Sequence, residues 1–167
     1  MLQNQLRLID GTIVRKDPVE NIYSSENGDF YSPHKAILTD QGWIMRKLKA
    51  EISKRTAKSS HGGDYPKLRA YGNSLCHTLI ARTWIGPRPF YKTPDGQIRP
   101  MEVDHLNGNI LDWSAPNLQY VTPAENRKRA RLLRILRSLG RDPRLMSRSE
   151  LLEIFSQYTI VNSPKFD

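Results

Sequence analysis

A single cysteine, Cys76, among 167 residues excludes an internal disulfide and any zinc site built from paired cysteines. No stretch approaches the roughly 20 apolar residues that span a bilayer, and the opening MLQNQLRLIDG has neither the basic start nor the apolar middle of a signal peptide. Internal repeats and low-complexity tracts are also missing. These absences lead us to expect a soluble intracellular protein held together by packing, with 38% hydrophobic residues to build one modest core and too short a chain for two full-sized domains. Acidic residues are scarce relative to basic ones, 17 Asp and Glu against 26 Lys and Arg, for a formal charge of +9 and a pI near 9.8. Such an excess favours a polyanionic partner, nucleic acid first.

The N-terminal third reads as short strands. Asp10-Gly11 in RLIDGTIVR and Asn27-Gly28 in ENGDFYS sit between apolar alternations, where they predict two-residue hairpin turns. Strand-like runs continue through AILTD, GWIMRKL and, past Gly62-Gly63, YPKLRAY; the basic stretch between them, KAEISKRTAKSSHGG, reads as a solvated loop able to meet phosphates. Apolar residues at 75, 76, 79, 80 and 84 predict a short helix ending before Gly86-Pro87, with His77 inside it. A turn at Pro94-Asp95-Gly96 and a strand into Asp104 follow, then an irregular ILDWSAPN and a return strand LQYV.

Thr122-Pro123-Ala124-Glu125 combines a capping Thr, Pro at the first helical position and a Glu placed for a capping box, so a helix is expected to run to about Leu139, with Gly140 as terminator. Arg127, Lys128, Arg129, Arg131, Arg134 and Arg137 line it, and Ala130, Leu133, Leu136 and neighbours supply its apolar side. Ser147 and Glu150 cap a second helix, and the tail TIVNSPKFD reads as loosely ordered. The expected fold is α+β, divided into an N-terminal β-rich module (1–68), a central core (69–140) and a C-terminal helical appendage (141–167).

The chemistry gathers in the stretch VDHLNGN. Asp104 and His105 close a strand, Asn117 follows in the loop twelve residues after His105, and Asn126 lies in the first turns of the capped helix. If that helix packs across the hairpin, Asp104 and Asn126 can offer two oxygens to one hard divalent cation, leaving His105 free as a base. Asn107 and Asn109 read as turn formers that tolerate left-handed backbone.

The segments HTLIARTWIG and VDHLNGNILDWSAPNLQYVTPAEN, with ENGDFYS before them, resemble the HNH endonucleases, also called ββα-metal or His-Me finger nucleases, and most of all the phage and intron-encoded homing type. The match is specific over residues 103 to 126 and weaker in the N-terminal third; nothing after about Ala130 resembles the family's longer DNA-reading tails. The resemblance implies a ββα-metal core at 69–140, hydrolysis of DNA phosphodiesters by nicking or double-strand cleavage, and one Mg²⁺ or Mn²⁺ per site held by Asp104 and Asn126. His105 would be the general base, and Asn117 would hold the loop so that His105 is aimed. Base catalysis by a well-placed group contributes roughly 10² to 10⁴ in rate. Arg127, Arg131 and Arg134, on one helix face, would touch phosphates beside the cut. The expected partner is double-stranded DNA, met by a monomer in the cytoplasm of a bacterial or phage-encoded host cell, without a membrane. A DNA-binding protein on an inactive HNH scaffold and an RNA-directed nuclease stand as alternatives. Where related sequences tend to be polar, Trp113 either packs under the loop or stacks on a base; Thr78 stands where the family often has Arg. His77 reads as a core histidine, with support of the site residues or contact with DNA as the other possibility, while His34 and His61 carry no signal. Asn126→Asp is expected to retain part of the activity, because an oxygen ligand is preserved.

Overall fold

The computed structural model describes residues 3–52, 65–72 and 74–161; the basic stretch from 53 to 63 lies outside the described residues. The fold is α+β. Contacts cluster into two compact units, Met1–Arg88 with Ile110–Leu118, and Pro89–Asn109 with Gln119–Asp167. None of the described helices is long and apolar enough to cross a membrane.

The first unit opens with an antiparallel five-stranded meander, β1 (Gln5–Arg7), β2 (Ile13–Lys16), β3 (Tyr23–Ser25), β4 (Phe30–Thr39) and β5 (Gly42–Leu48), in sequential order. Alternation puts Leu6 and Val14 opposite each other on the inner face, and they pack with Leu8, Tyr23 and Tyr31 under Trp43 and Met45. A smaller sheet, β6 (Glu51–Ile52), β7 (Pro66–Leu68) and β8 (Ser74–Leu75), leads into helix α1 (Cys76–Ile80). The helix extends through Ala81–Ile85 in a wider turn, where Gly86 N–H donates to Ala81 O, five residues back. Cys76 is fully buried and its thiol is pushed up to about 12 by burial, so it acts as an inert core residue. His77 is buried edge-on against Tyr65, with ring centroids 4.9 Å apart.

Three hairpin turns share one design, which at Asp10-Gly11 and Asn27-Gly28 differs from the expected two-residue form. Leu8 N–H bonds Thr12 O, Ser25 N–H bonds Asp29 O, and Thr93 N–H bonds Gln97 O. Each pair closes a three-residue loop, and the third loop residue, Gly11, Gly28 or Gly96, has φ of 86°, 94° or 85°. That is a type I turn followed by a left-handed glycine. Asp10 and Asn27 therefore sit one position later in the turn than a two-residue loop would place them.

Gly28 carries an additional load. A Cβ there would fall 2.7 Å from Cδ1 and 2.8 Å from Nε1 of Trp113, whose indole N–H donates to Gly28 O at 2.8 Å. Trp113 thus packs on the turn, the first of its two expected roles, and Ala115 N–H beside it donates to Glu26 O at 2.8 Å. At Gly11 the nearest atom to an added methyl group would be the flexible end of Arg7, 3.8 Å away. Gly11→Ala is expected to cost only the left-handed backbone penalty, about 1 kcal/mol, and Gly28→Ala about 2–3 kcal/mol because the indole must move as well. Urea unfolding of the two variants would check this, and equal losses would refute the packing role of Trp113.

The second unit consists of a hairpin, β9 (Phe90–Lys92) with β10 (Ile98–Pro100), a two-stranded sheet of β11 (Glu102–His105) and β12 (Leu118–Val121), and two helices, α2 (Pro123–Ser138) and α3 (Arg148–Val161). Residues 159–161 of the expected loose tail continue α3, and 162–167 lie outside the described residues. Thr122 Oγ1 caps α2 by accepting from Glu125 N–H at 3.2 Å, but the Glu125 carboxylate turns to Arg129 at 2.8 Å instead of back to the cap. Ser147 and Glu150 form the complete box at α3, with bonds of 2.8 and 3.3 Å in the two directions. Leu132, Leu133 and Leu136 meet Leu106, Leu151 and Phe155 in one core. Ala130, expected on the apolar side, is exposed, while its neighbour Leu132 is buried there.

Candidate functional site

β11 carries the first two candidates. Asp104 and His105 are 8% and 6% exposed, and as adjacent strand residues they leave the strand on opposite faces. The strand then turns at once: His105 O accepts from Gly108 N–H at 2.8 Å, and the Asn107 side chain accepts from Asn109 N–H at 2.8 Å. Gly108 adopts φ 66°, and a Cβ there would stand 2.8 Å from Arg137 and 2.9 Å from Leu133 of α2. The turn residues thus let the chain end its strand tightly under α2. His105 Nε2 is shielded from solvent in this arrangement, so a water molecule reaches it only when neighbouring groups move.

Two faces meet between β11 and α2. Glu102 and Asp104, two apart, share one side of the strand; Asn126 and Arg129, three apart, share one side of the helix. Asn126 Nδ2 donates to Glu102 Oε2 at 2.7 Å, and Arg129 Nη1 lies 3.7 Å from Asp104 Oδ2. From β12, Gln119 Nε2 donates to the same Asp104 oxygen at 3.0 Å. Burial raises the Asp104 carboxyl above its ordinary value; Arg129 and Gln119 pull the other way, and Glu125 adds a smaller push upward. Arg129 stacks over Phe155 at 4.7 Å and is bound to Glu125, so its guanidinium is held in place on three sides.

Asn117 stands in the first unit, in a short turn over Ala115–Asn117. It is 8% exposed, and its Nδ2 donates to Asp112 O at 2.7 Å, which closes the loop on itself. Arg127, Arg131 and Arg134 are all exposed. At about 100° per residue they fall within a 60° sector of α2, opposite the sector that holds Arg129, Leu132, Leu133 and Leu136.

Glu102, Gln119 and Arg129 were not among the sequence candidates. Arg129 carries a helical signal: it precedes Leu132, Leu133 and Leu136 by three, four and seven residues, the spacing of a buried face. Glu102 could be placed on the Asp104 side from strand period alone, while Gln119 needs the register of β12.

Among the described residues no three His, Cys, Asp or Glu side chains gather as metal ligands. The resemblance implies a leaner set, one carboxylate and one amide oxygen completed by water, which suits Mg²⁺ or Mn²⁺. The donors present fit it. A carboxylate only accepts, so the bond to Glu102 fixes which end of the Asn126 amide is nitrogen, and Oδ1 is the atom that would ligate in the implied set. The same bond revises the expectation for Asn126→Asp, which would set two carboxylates about 2.7 Å apart. Asn126→Asp alone is expected to lose Mn²⁺ affinity in calorimetry, and adding Glu102→Gln to recover it; a single variant that binds as wild type would refute the bridge.

A strand ending in Asp104 and His105, a loop, a return strand and a capped helix follow one another in the order that the resemblance to the HNH nucleases implies. The chain is similar to a SPbeta prophage-derived protein of Bacillus subtilis (strain 168), YosQ, whose name describes it as an HNH homing endonuclease, with 34% identity over 94 residues. The alignment covers 53% of this chain, which spans about half the length of that relative (48%). No protein-family profile matches the chain, and no solved structure matches it.

Proposed function

We propose that the chain is a metal-dependent endonuclease that hydrolyses phosphodiester bonds of double-stranded DNA. The observation that supports this most is the meeting of Glu102 and Asp104 on β11 with Asn126 and Arg129 on α2, on a strand that ends in His105. The name of the prophage relative points the same way. Asp104 and Asn126 would hold the cation, Glu102 orients the Asn126 amide, and His105 accepts the proton of the attacking water. Asn117 braces the loop that leads into β12. When bound, one Mg²⁺ or Mn²⁺ would stabilise charge on the scissile phosphate and the leaving oxygen. The Arg129 guanidinium beside Asp104 and the shielding of His105 favour a second reading, a DNA-binding protein that has this scaffold without turnover.

Supercoiled plasmid incubated with protein and Mg²⁺ or Mn²⁺, beside an EDTA control, separates the two: nicking that EDTA abolishes supports the nuclease, and tight binding without any cleavage supports the second reading. Replacing Arg127 and Arg131 by Ala is expected to weaken binding to all sequences alike and to flatten the salt slope of log affinity by about two units, roughly 0.9 per lost phosphate contact. An unchanged slope with unchanged affinity would leave that sector merely solvated.

A further inference from the structure

The β9–β10 hairpin has no buried residue among those described in its two strands. Its register pairs Phe90 with Pro100, Tyr91 with Arg99 and Lys92 with Ile98, so Phe90, Lys92, Ile98 and Pro100 share one face. All four are exposed, Phe90 at 66% and Ile98 at 74%. An isolated two-stranded ribbon is marginal in water, and an uncovered apolar face adds to the cost. Its chemistry indicates what covers it. Between residues 88 and 100 the chain carries Arg88, Lys92 and Arg99 against Asp95 alone, and Asp95 lies at the turn, bonded to Thr93. The ribbon also runs almost directly into the candidate site, with only Met101 between β10 and β11.

We propose that this hairpin is a DNA-reading ribbon, laid in the major groove of the duplex that the proposed nuclease cuts, and the inference rests on that reading. A two-stranded ribbon fits the width of the major groove, where apolar side chains meet thymine methyl groups. Phe90 and Ile98 face the base edges, and Lys92 reaches a flanking phosphate. Six residues separate Ile98 from Asp104, at most about 20 Å of extended chain, so the contact falls within about six base pairs of the cut.

The test uses the full chain with His105→Ala added to prevent cutting, bound to a duplex fragment and footprinted. Phe90→Thr with Ile98→Thr keeps residues that favour strands, so the ribbon is retained. The double variant is expected to bind about tenfold or more weakly, with an unchanged salt slope and with protection lost on one flank only. Lys92→Ala is expected to flatten the slope by about 0.9. Uracil in place of thymine on that flank should weaken the His105→Ala protein more than it weakens the Thr double variant, whose smaller methyl groups keep less contact. Unchanged affinity and footprint in the double variant overturn the ribbon and leave the nuclease reading standing, whereas failure of the parent protein to bind duplex at all overturns both. Normal DNA binding with loss of a concentration-dependent dimer in sedimentation would assign the face to a second copy of the chain, and the proposal would fall.

Discussion

His105→Ala is expected to nick supercoiled plasmid roughly 10²- to 10⁴-fold more slowly than the unmodified chain in Mg²⁺, the range a positioned general base supplies. The residue sits where β11 breaks into the Leu106-Asn107-Gly108 turn, so its backbone is fixed by the strand on one side and by the bond from Gly108 N–H on the other. Removing the imidazole leaves the opposite face of the strand, with Asp104, Glu102, Gln119 and Asn126, in place. Mn²⁺ binding by calorimetry should therefore survive in His105→Ala and be lost in Asp104→Ala. Cleavage by the unmodified chain should fall on the acid side, because a protonated ring cannot take the proton from water. An unmodified chain that cuts equally well from pH 5 to 9, or a His105→Ala protein that keeps pace with it, would remove His105 from this role.

Asp17→Asn is expected to destabilise the first unit by about 3 kcal/mol, the low end for breaking a buried pair, since the Arg82 side chain keeps 24% exposure and regains some water. The Asp17 carboxylate, 1% exposed, accepts from Arg82 Nε and Nη2 at 2.8 and 2.7 Å, from Thr83 Oγ1 at 3.0 Å, and from the amides of Val19 and Glu20 at 2.9 and 2.7 Å. Burial alone would raise its pKa. The bond from Arg82 and the two amides outweigh burial, and the net shift is downward. The ionised form is thus favoured in the folded state, so the stabilisation is complete above the ordinary carboxylate range and disappears as the pH falls through the lowered value. Urea unfolding at pH 7 should show the full loss in Asp17→Asn, and the gap between the two proteins should narrow below about pH 4. Asp17→Asn with Arg82→Met should recover part of the loss, because the second change removes the stranded charge. A gap independent of pH would mean that the carboxylate acts by shape alone.

Local signals were legible where one residue type is nearly obligatory. The Asp10-Gly11, Asn27-Gly28 and Asp95-Gly96 pairs mark their turns because only glycine takes the left-handed position without strain, although the pairs alone do not distinguish two-residue from three-residue loops. The Thr122-Pro123 start and the Ser147-Glu150 box mark their helices because these side chains satisfy otherwise orphaned amides. Long-range partnerships were not legible. Asp17 and Arg82 lie 65 residues apart, and Gly28 and Trp113 lie 85 apart, with no periodicity connecting them. At the candidate site, spacing pointed to Asp104, His105 and Asn126, but a helix with six Arg and Lys between 127 and 137 does not announce which of them turns inward. Arg129 does so because its face is fixed by the three leucines that follow it.

The loop from Ile110 to Leu118 belongs to the first unit, although the strands it joins, β11 and β12, lie almost wholly in the second. The chain therefore crosses the boundary between units three times, after Arg88, after Asn109 and after Leu118. A gene segment starting near Pro89 would encode β11, β12 and α2 intact, yet would strand Trp113 and Ala115 without the Gly28 and Glu26 carbonyls that receive them. Neither unit can be inherited, exchanged or recombined as a contiguous cassette, and selection on the turn at Gly28 is tied to selection on a loop 85 residues downstream.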